Sequence, residues 1–247
     1  MTGTLINIAT VLIGGTLGLI FGSRLPERMR KTVVAGLGLF TAAIGVQMFL
    51  ETQNPIIVLG SILLGGILGE WWRIEDGLTN LGGFLEARFI GSKSNPLEAP
   101  APQPESAPRQ RFIRGFLTAS LVFCVGPMTI LGSIQDGLSS DYSLLAIKSV
   151  LDGFAALAFA STLGIGVLFS ALTVFVFQGG ISLLAAQAQA VITPAMMSEM
   201  TAAGGLLLIG LAISSLLELK PIRAGNFLPA LVLAPLIVGI LRALGIG

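Results

Sequence analysis

The stretch AIKSVLDGFAALAFASTLGIGVLFSALTVFVFQGGISLLAA, residues 146–186, decides the fold. Its only charges are Lys148 and Asp152. A helix needs about 20 apolar residues to cross ~30 Å of hydrocarbon. The stretch is therefore too long for one crossing and long enough for two. The run Ser161-Thr162-Leu163-Gly164-Ile165-Gly166 holds two glycines where the chain can turn. Two crossings are expected, at about 146–162 and 164–186.

Six further apolar runs lie on either side, at about 4–22, 33–50, 55–70, 115–133, 201–218 and 226–244. Together they make eight spans of an all-α, polytopic integral membrane protein. Composition agrees: 53% of the 247 residues are hydrophobic and 11% charged, with a mean hydropathy of +0.89. A chain this size has no soluble core large enough for so much apolar surface, so the lipid bilayer must cover part of it.

Lys and Arg in the short loops set the orientation. Arg24, Arg28, Arg30 and Lys31 follow the first span. Arg73, Arg88, Lys93, Arg109, Arg111 and Arg114 lie between the third and fourth, and Lys220 and Arg223 between the seventh and eighth. The alternate loops, 51–54, 134–145 and 187–200, carry no Lys or Arg. Eight spans put all the basic loops on one side, which places both termini outside the cytoplasm and the protein in a bacterial inner membrane. Arg242 is the dissenting charge. The first span shows no basic n-region or small-x-small cleavage motif and is expected to stay in the mature protein.

The spans divide into 1–70 (spans one to three) and 112–247 (spans four to eight). Between them, 71–91 places Ile74, Leu78, Leu81 and Leu85 on one helical stripe behind Trp71 and Trp72. That pattern predicts an amphipathic helix lying on the membrane surface. Residues 92–111 hold Pro96, Pro100, Pro102, Pro104 and Pro108 and read as a disordered linker. Matching openings and span lengths pair spans one to three with six to eight. With opposite directions across the membrane, that pairing reads either as an inverted repeat, a layout common in secondary transporters, or as the chance likeness of helices rich in Gly, Ala and Leu.

Several chemistries are excluded. No histidine is present, which removes His-based nucleophiles, His-ligated metals and a histidine pH switch. Cys124 is the only cysteine, so neither an intrachain disulfide nor a Cys-cluster metal site can form. The net charge of +1 gives no reason to expect nucleic acid. No cofactor, metal or enzymatic chemistry is expected.

The candidate site residues are the polar or helix-breaking groups at membrane depth. Asp152 is the one acid placed well inside a span, and Lys148 lies one turn before it. The two read either as a cation- or proton-coupled carboxylate or as an internal ion pair. Gly126-Pro127 falls near the middle of span four. Proline has no N–H for the carbonyl of Phe123, which reads either as a broken helix lining a solute or ion site beside Thr129 or as a simple kink. Ser161 and Thr162 offer hydroxyls at an expected helix start, a place able to hold an anion, or cap a plain turn. Asn7 and Asn226 open corresponding spans and can cap or ligate. Gln47 and Gln178 are expected at the interface, and Asp136 and Asp141 in a solvated loop. Gly14, Gly18 and Gly22, like Gly65 and Gly69, form small-residue stripes for close helix contact, within the chain or with a second copy. The expected function is transport of a small solute or ion around a site in spans four to six. The alternative is a structural or regulatory membrane subunit.

Several of these runs resemble a family of bacterial inner-membrane proteins of unknown function, the YqgA/YdfK type. They are Gly3-Thr4-Leu5-Ile6-Asn7, the segments 118–128 and 132–137, Lys148-Ser149-Val150-Leu151-Asp152-Gly153, Phe159-Ala160-Ser161-Thr162-Leu163-Gly164 and Asn226-Phe227-Leu228-Pro229-Ala230. The resemblance implies a membrane-embedded protein, described at most as a transporter, with no substrate assigned.

Overall fold

The structure is a computed structural model that describes residues 1–22, 26–89 and 107–245. Most of the expected linker, 92–106, lies outside the described residues. Its last part, 107–111, opens a helix. In chain order the elements are α1 (Thr2–Gly22), α2 (Glu27–Phe49), α3 (Pro55–Trp72), α4 (Ile74–Phe89), α5 (Ala107–Cys124), α6 (Pro127–Ser139), α7 (Ser143–Leu163), α8 (Gly166–Leu183), α9 (Ala185–Val191), α10 (Pro194–Leu211) and α11 (Ala230–Ala243). A π-turn over Ala212–Leu216 prolongs α10, and a 3₁₀ turn over Ala224–Phe227 leads into α11. The described residues contain no strand.

Seven helical stretches are long and apolar enough to cross a membrane. The stretch 110–124 and α6 meet at an angle of 63° and make an eighth crossing if the bent pair is one broken span. Large apolar side chains such as Leu59, Leu63, Ile67, Val150, Leu151 and Phe154 stand exposed on the outside of the bundle. Water would not tolerate that belt, and lipid does. The protein is a polytopic all-α membrane protein.

Span seven departs from expectation. Helix α10 starts at Pro194, not near 201, because Thr193 accepts the Met196 amide and Pro194 occupies the first turn. Glu199, read as a loop residue, is consequently buried.

Glycine stripes join the helices. A Cβ at Gly14, Gly18 or Gly22 of α1 would collide with the backbone of Gly153, Leu157 or Ser161 of α7. Both series step by four in the same direction, so α1 and α7 run parallel and in register. On α3, Gly65 and Gly69 likewise meet Ala230 and Asn226, in the opposite order, so α3 and α11 run antiparallel. Both stripes are thus occupied within the chain.

Helix α4 covers Ile74–Phe89, inside the stretch 71–91. Its Leu85 packs with Phe112, Ile113 and Phe116 of α5, while Trp71 and Trp72 before it are exposed.

Candidate functional site: a polar chain across the broken span

The break follows from two residues. Pro127 opens α6, and Gly126 before it is extended, with φ 175°. Any residue adopts that backbone, and no atom lies within 4 Å of a Cβ built on Gly126. The proline therefore carries the break. In a continuous helix the residue 127 N–H would bond the Phe123 carbonyl. Pro127 has none, and the carbonyl is left for side chains.

Two side chains take it. Thr129 Oγ1 donates to Phe123 O at 3.1 Å, and Lys148 Nζ donates to it at 2.8 Å. The carbonyl ends α5, where the helix dipole is negative and suits an ammonium. Lys148 also pairs with Asp152 one turn on in α7.

Asp152 extends the chain of bonds to α1 and α8. Asn7 Nδ2 donates to Asp152 Oδ2 and to Gln178 Oε1, both at 2.9 Å. Gln178 Nε2 in turn donates to Thr4 Oγ1 at 3.4 Å. Four spans contribute, and Thr4, Asn7 and Gln178 are wholly buried. Asp152 lies nine residues into the 21-residue α7. At 1.5 Å per residue that is roughly 14 Å along α7 from its start. Lys148 and Asp152 are 6% and 7% exposed, so the site is closed in this conformation.

On its other side the break meets apolar space. A cavity of about 260 Å³ touches Val125, Gly126, Phe177 and Met200. A larger one of about 900 Å³ lies between α5, α8, α9 and α11, with Leu78 and Leu81 of α4 at one end. Its hydroxyls at Ser120 and Thr173 bond one another at 2.9 Å.

The other sequence candidates fall elsewhere. Ser161 and Thr162 close α7; they do not open α8. Their hydroxyls bond carbonyls of their own last turns, Ala158 and Phe159, and the Thr162 carbonyl accepts from Arg111 Nε at 2.9 Å. A helix end of that polarity holds a cation, which removes the anion reading. Asn226 is far from Asn7 along the bundle. Its Oδ1 caps α4 by accepting from the Glu75 amide at 2.7 Å, and its Nδ2 donates to Glu70 at 2.5 Å. Glu75 returns the bond by accepting from the Gly225 amide at 2.6 Å. Burial there raises the Glu75 carboxyl above its usual range, against the Gly225 bond and Arg223.

Three acids or amides were misplaced by the sequence reading. Gln178 is wholly buried against α1, not exposed at the interface; it shares a helical stripe with Val167, Ala171 and Val174. Asp136 is buried and not solvated: α6 continues to Ser139, and Asp136 Oδ2 takes the Gly3 amide and the Met1 amino group, each at 3.1 Å. Glu199 accepts from Thr52 Oγ1 at 2.5 Å and from the Gln53 and Asn54 amides at 2.8 and 3.0 Å, a fully used carboxylate that ties the 51–54 loop to α10. Gln47 is exposed on α2, and Asp141 is exposed with its carboxyl lowered by the Ser143 hydroxyl and amide. Among the described residues no cluster of acids or cysteine could hold a metal ion.

Comparison with known proteins matches the chain over residues 2–239 to the family described as "Protein of unknown function (DUF554)". The "Uncharacterized protein YqgA" of Escherichia coli (strain K12) is 33% identical over 233 residues, 94% of each chain. The "Uncharacterized membrane protein YdfK" of Bacillus subtilis (strain 168) is 29% identical over 250 residues, covering 100% of this chain and 99% of the other. No solved structure matches. With its model matched almost end to end, the chain belongs to the DUF554 family of proteins of unknown function.

Proposed function

We propose that this protein is a secondary transporter of a small solute or ion in the bacterial inner membrane, working by alternating access around the broken fourth span. The observation that carries this is the Phe123 carbonyl. It is freed at membrane depth by Pro127 and held by Lys148 inside a four-span polar chain. Irregular backbone at that depth is tolerated where it meets protein or lines a site, and transporters place substrate sites at such breaks. The closed network then represents an occluded state, with Asp152 and Lys148 sealed from both sides.

Two further features support the reading. Each proposed repeat partner packs directly on its counterpart: α1 on α8, α2 on α10, and α3 on α11. The glycine stripes that a regulatory subunit would offer to partner helices are already filled inside the chain.

The test is reconstitution of the purified protein in liposomes loaded with a pH-sensitive dye. Alkali salts, amino acids and organic acids are added outside in turn. At least one is expected to move, or to drive proton movement, in the parent and not in Asp152→Asn. If nothing moves while a second membrane protein co-purifies in fixed ratio, the chain is a subunit.

A further inference from the structure

We infer that the apolar groove between α5, α8, α9 and α11 and the small chamber at the break form one binding site for an uncharged amphiphile, a hydrocarbon tail ending in a hydroxyl or carbonyl group, which enters sideways from the bilayer. The inference goes beyond the transport reading and does not rest on it.

Four observations lead here. The groove, of about 900 Å³, offers water almost nothing. Its hydroxyls, Ser120 and Thr173, bond one another, and Gln187 stands exposed at the α9 end. A buried water needs about two to four polar partners, so an apolar occupant suits this space better. Second, Leu172, Val176 and Phe177 line the groove and stand exposed on α8, a helix fit to cross the membrane. The groove therefore opens sideways to hydrocarbon. Third, the groove and the chamber of about 260 Å³ share Cys124, Val125, Phe177, Leu228 and Leu231 as walls. A chain lying in the groove thus reaches the break at Gly126. Fourth, Thr201 of α10 lines the chamber, is 3% exposed, and has a buried hydroxyl with no hydrogen-bond partner. An unpaired buried hydroxyl is costly, and a polar end brought by the ligand supplies the missing bond.

The walls set the charge of that polar end. Among the described residues no charged side chain lines the groove or the chamber. Lys148 and Asp152, near Cys124, are already paired with one another. A carboxylate, phosphate or ammonium would lie there uncompensated. A hydroxyl or carbonyl bonds the Thr201 hydroxyl without that cost.

The experiment uses the purified protein in phosphatidylcholine nanodiscs, with hexadecanol carrying a diazirine in its chain. After illumination, peptide mass spectrometry is expected to find adducts on α5, α8 and α11. Plain hexadecanol should displace them at a concentration about tenfold below that of hexadecyl sulfate or hexadecyltrimethylammonium, which share the tail and carry a fixed charge. Gly180 lines the groove, and nothing lies within 4 Å of a Cβ built on it. Gly180→Phe therefore fills the groove without a clash and should lose the adducts. Gly60→Phe, equally open but on α3, should keep them. Thr201→Val removes a hydroxyl that bonds nothing, so it should melt no lower than the parent. It should weaken displacement by hexadecanol about fivefold. Equal displacement by all three heads makes the groove ordinary lipid-facing surface and overturns the site, as does unchanged displacement in Thr201→Val. No adduct on these helices overturns it too; if the protein is then a dimer, a second copy covers the groove. Head-group selectivity in the parent decides even if a variant fails to fold. Selective adducts without flux in the liposome assay leave this site standing and sink the transport reading. Flux without adducts does the reverse.

Discussion

At the residue scale the weight falls on two positions. Asp152 and Lys148 were legible as a pair because they stand four apart in an otherwise apolar run. What the pair touches was not legible, since Asn7 and Gln178 reach it from segments more than a hundred residues away. Removing one member leaves a buried charge without its partner. Asp152→Ala should therefore cost about 3–5 kcal/mol, read as a lower melting temperature. Lys148→Leu with Asp152→Leu should recover most of that loss and be inactive in transport. A fully active double variant would reduce the pair to a structural tie. The second position is the break. Gly126→Ala should leave the melting temperature almost unchanged, because neither backbone nor space demands glycine there. Pro127→Ala restores an N–H for the Phe123 carbonyl and competes with Lys148 for it. Backbone amides of 124–130 should then exchange with deuterium more slowly than in the parent. Equal exchange would mean that the proline does not hold the break open.

At the element scale the helices were visible because length and hydropathy alone define a span, whereas their neighbours depend on side-chain spacing. The stripe Thr4, Asn7, Val11, Gly14 and Gly18 repeats every three or four residues and is buried throughout. Read along that stripe, Asn7 points at the same helix as the glycines. Gln178 follows the same logic on α8, and its position near a span end hid it. Gly18→Leu forces α1 away from the Leu157 carbonyl and should cost about 3 kcal/mol, the top of the overpacking range. Gly60→Leu on α3, with open space around its Cβ, is the control and should melt near the parent. Equal losses at both sites would remove the packing argument. Helix α4 supplies a pH test. Burial raises the Glu75 carboxyl above its unfolded value, so the unfolded chain ionises first as pH rises. The parent then loses stability from the unfolded value up to the folded one. Glu75→Gln lacks that loss while its amide oxygen can still accept from Gly225. Its melting temperature relative to the parent should climb with pH through the carboxylate range, and a flat difference would contradict the sign.

For the whole molecule, eight alternating crossings would gather Arg28, Lys31, Arg73, Arg88, Arg111, Arg114, Lys220 and Arg223 at one end. The helix contacts agree: Gly3 meets Leu145 at one end of the bundle, and Gly22 meets Ser161 at the other. What no internal contact decides is which end faces the cytoplasm. The positive-inside rule predicts that it is the basic end. With the native thiol removed by Cys124→Ser, single cysteines at Ser139 and Ala190 should react with a membrane-impermeant thiol reagent added to intact cells. Both native residues are exposed at the end without basic loops. A cysteine at Pro104 should stay unlabelled until the cells are opened. Labelling at Pro104 alone would invert the protein and place the Asp136 end inside. Labelling at only one of Ser139 and Ala190 would put an odd number of crossings between them, which breaks the pairing of α1 with α8 and the inverted repeat built on it. Labelling at both leaves the basic loops, the amphipathic α4 and the Glu75–Asn226 tie on the cytoplasmic face. Asp152 then lies between two aqueous sides of opposite charge bias, where an alternating site must stand.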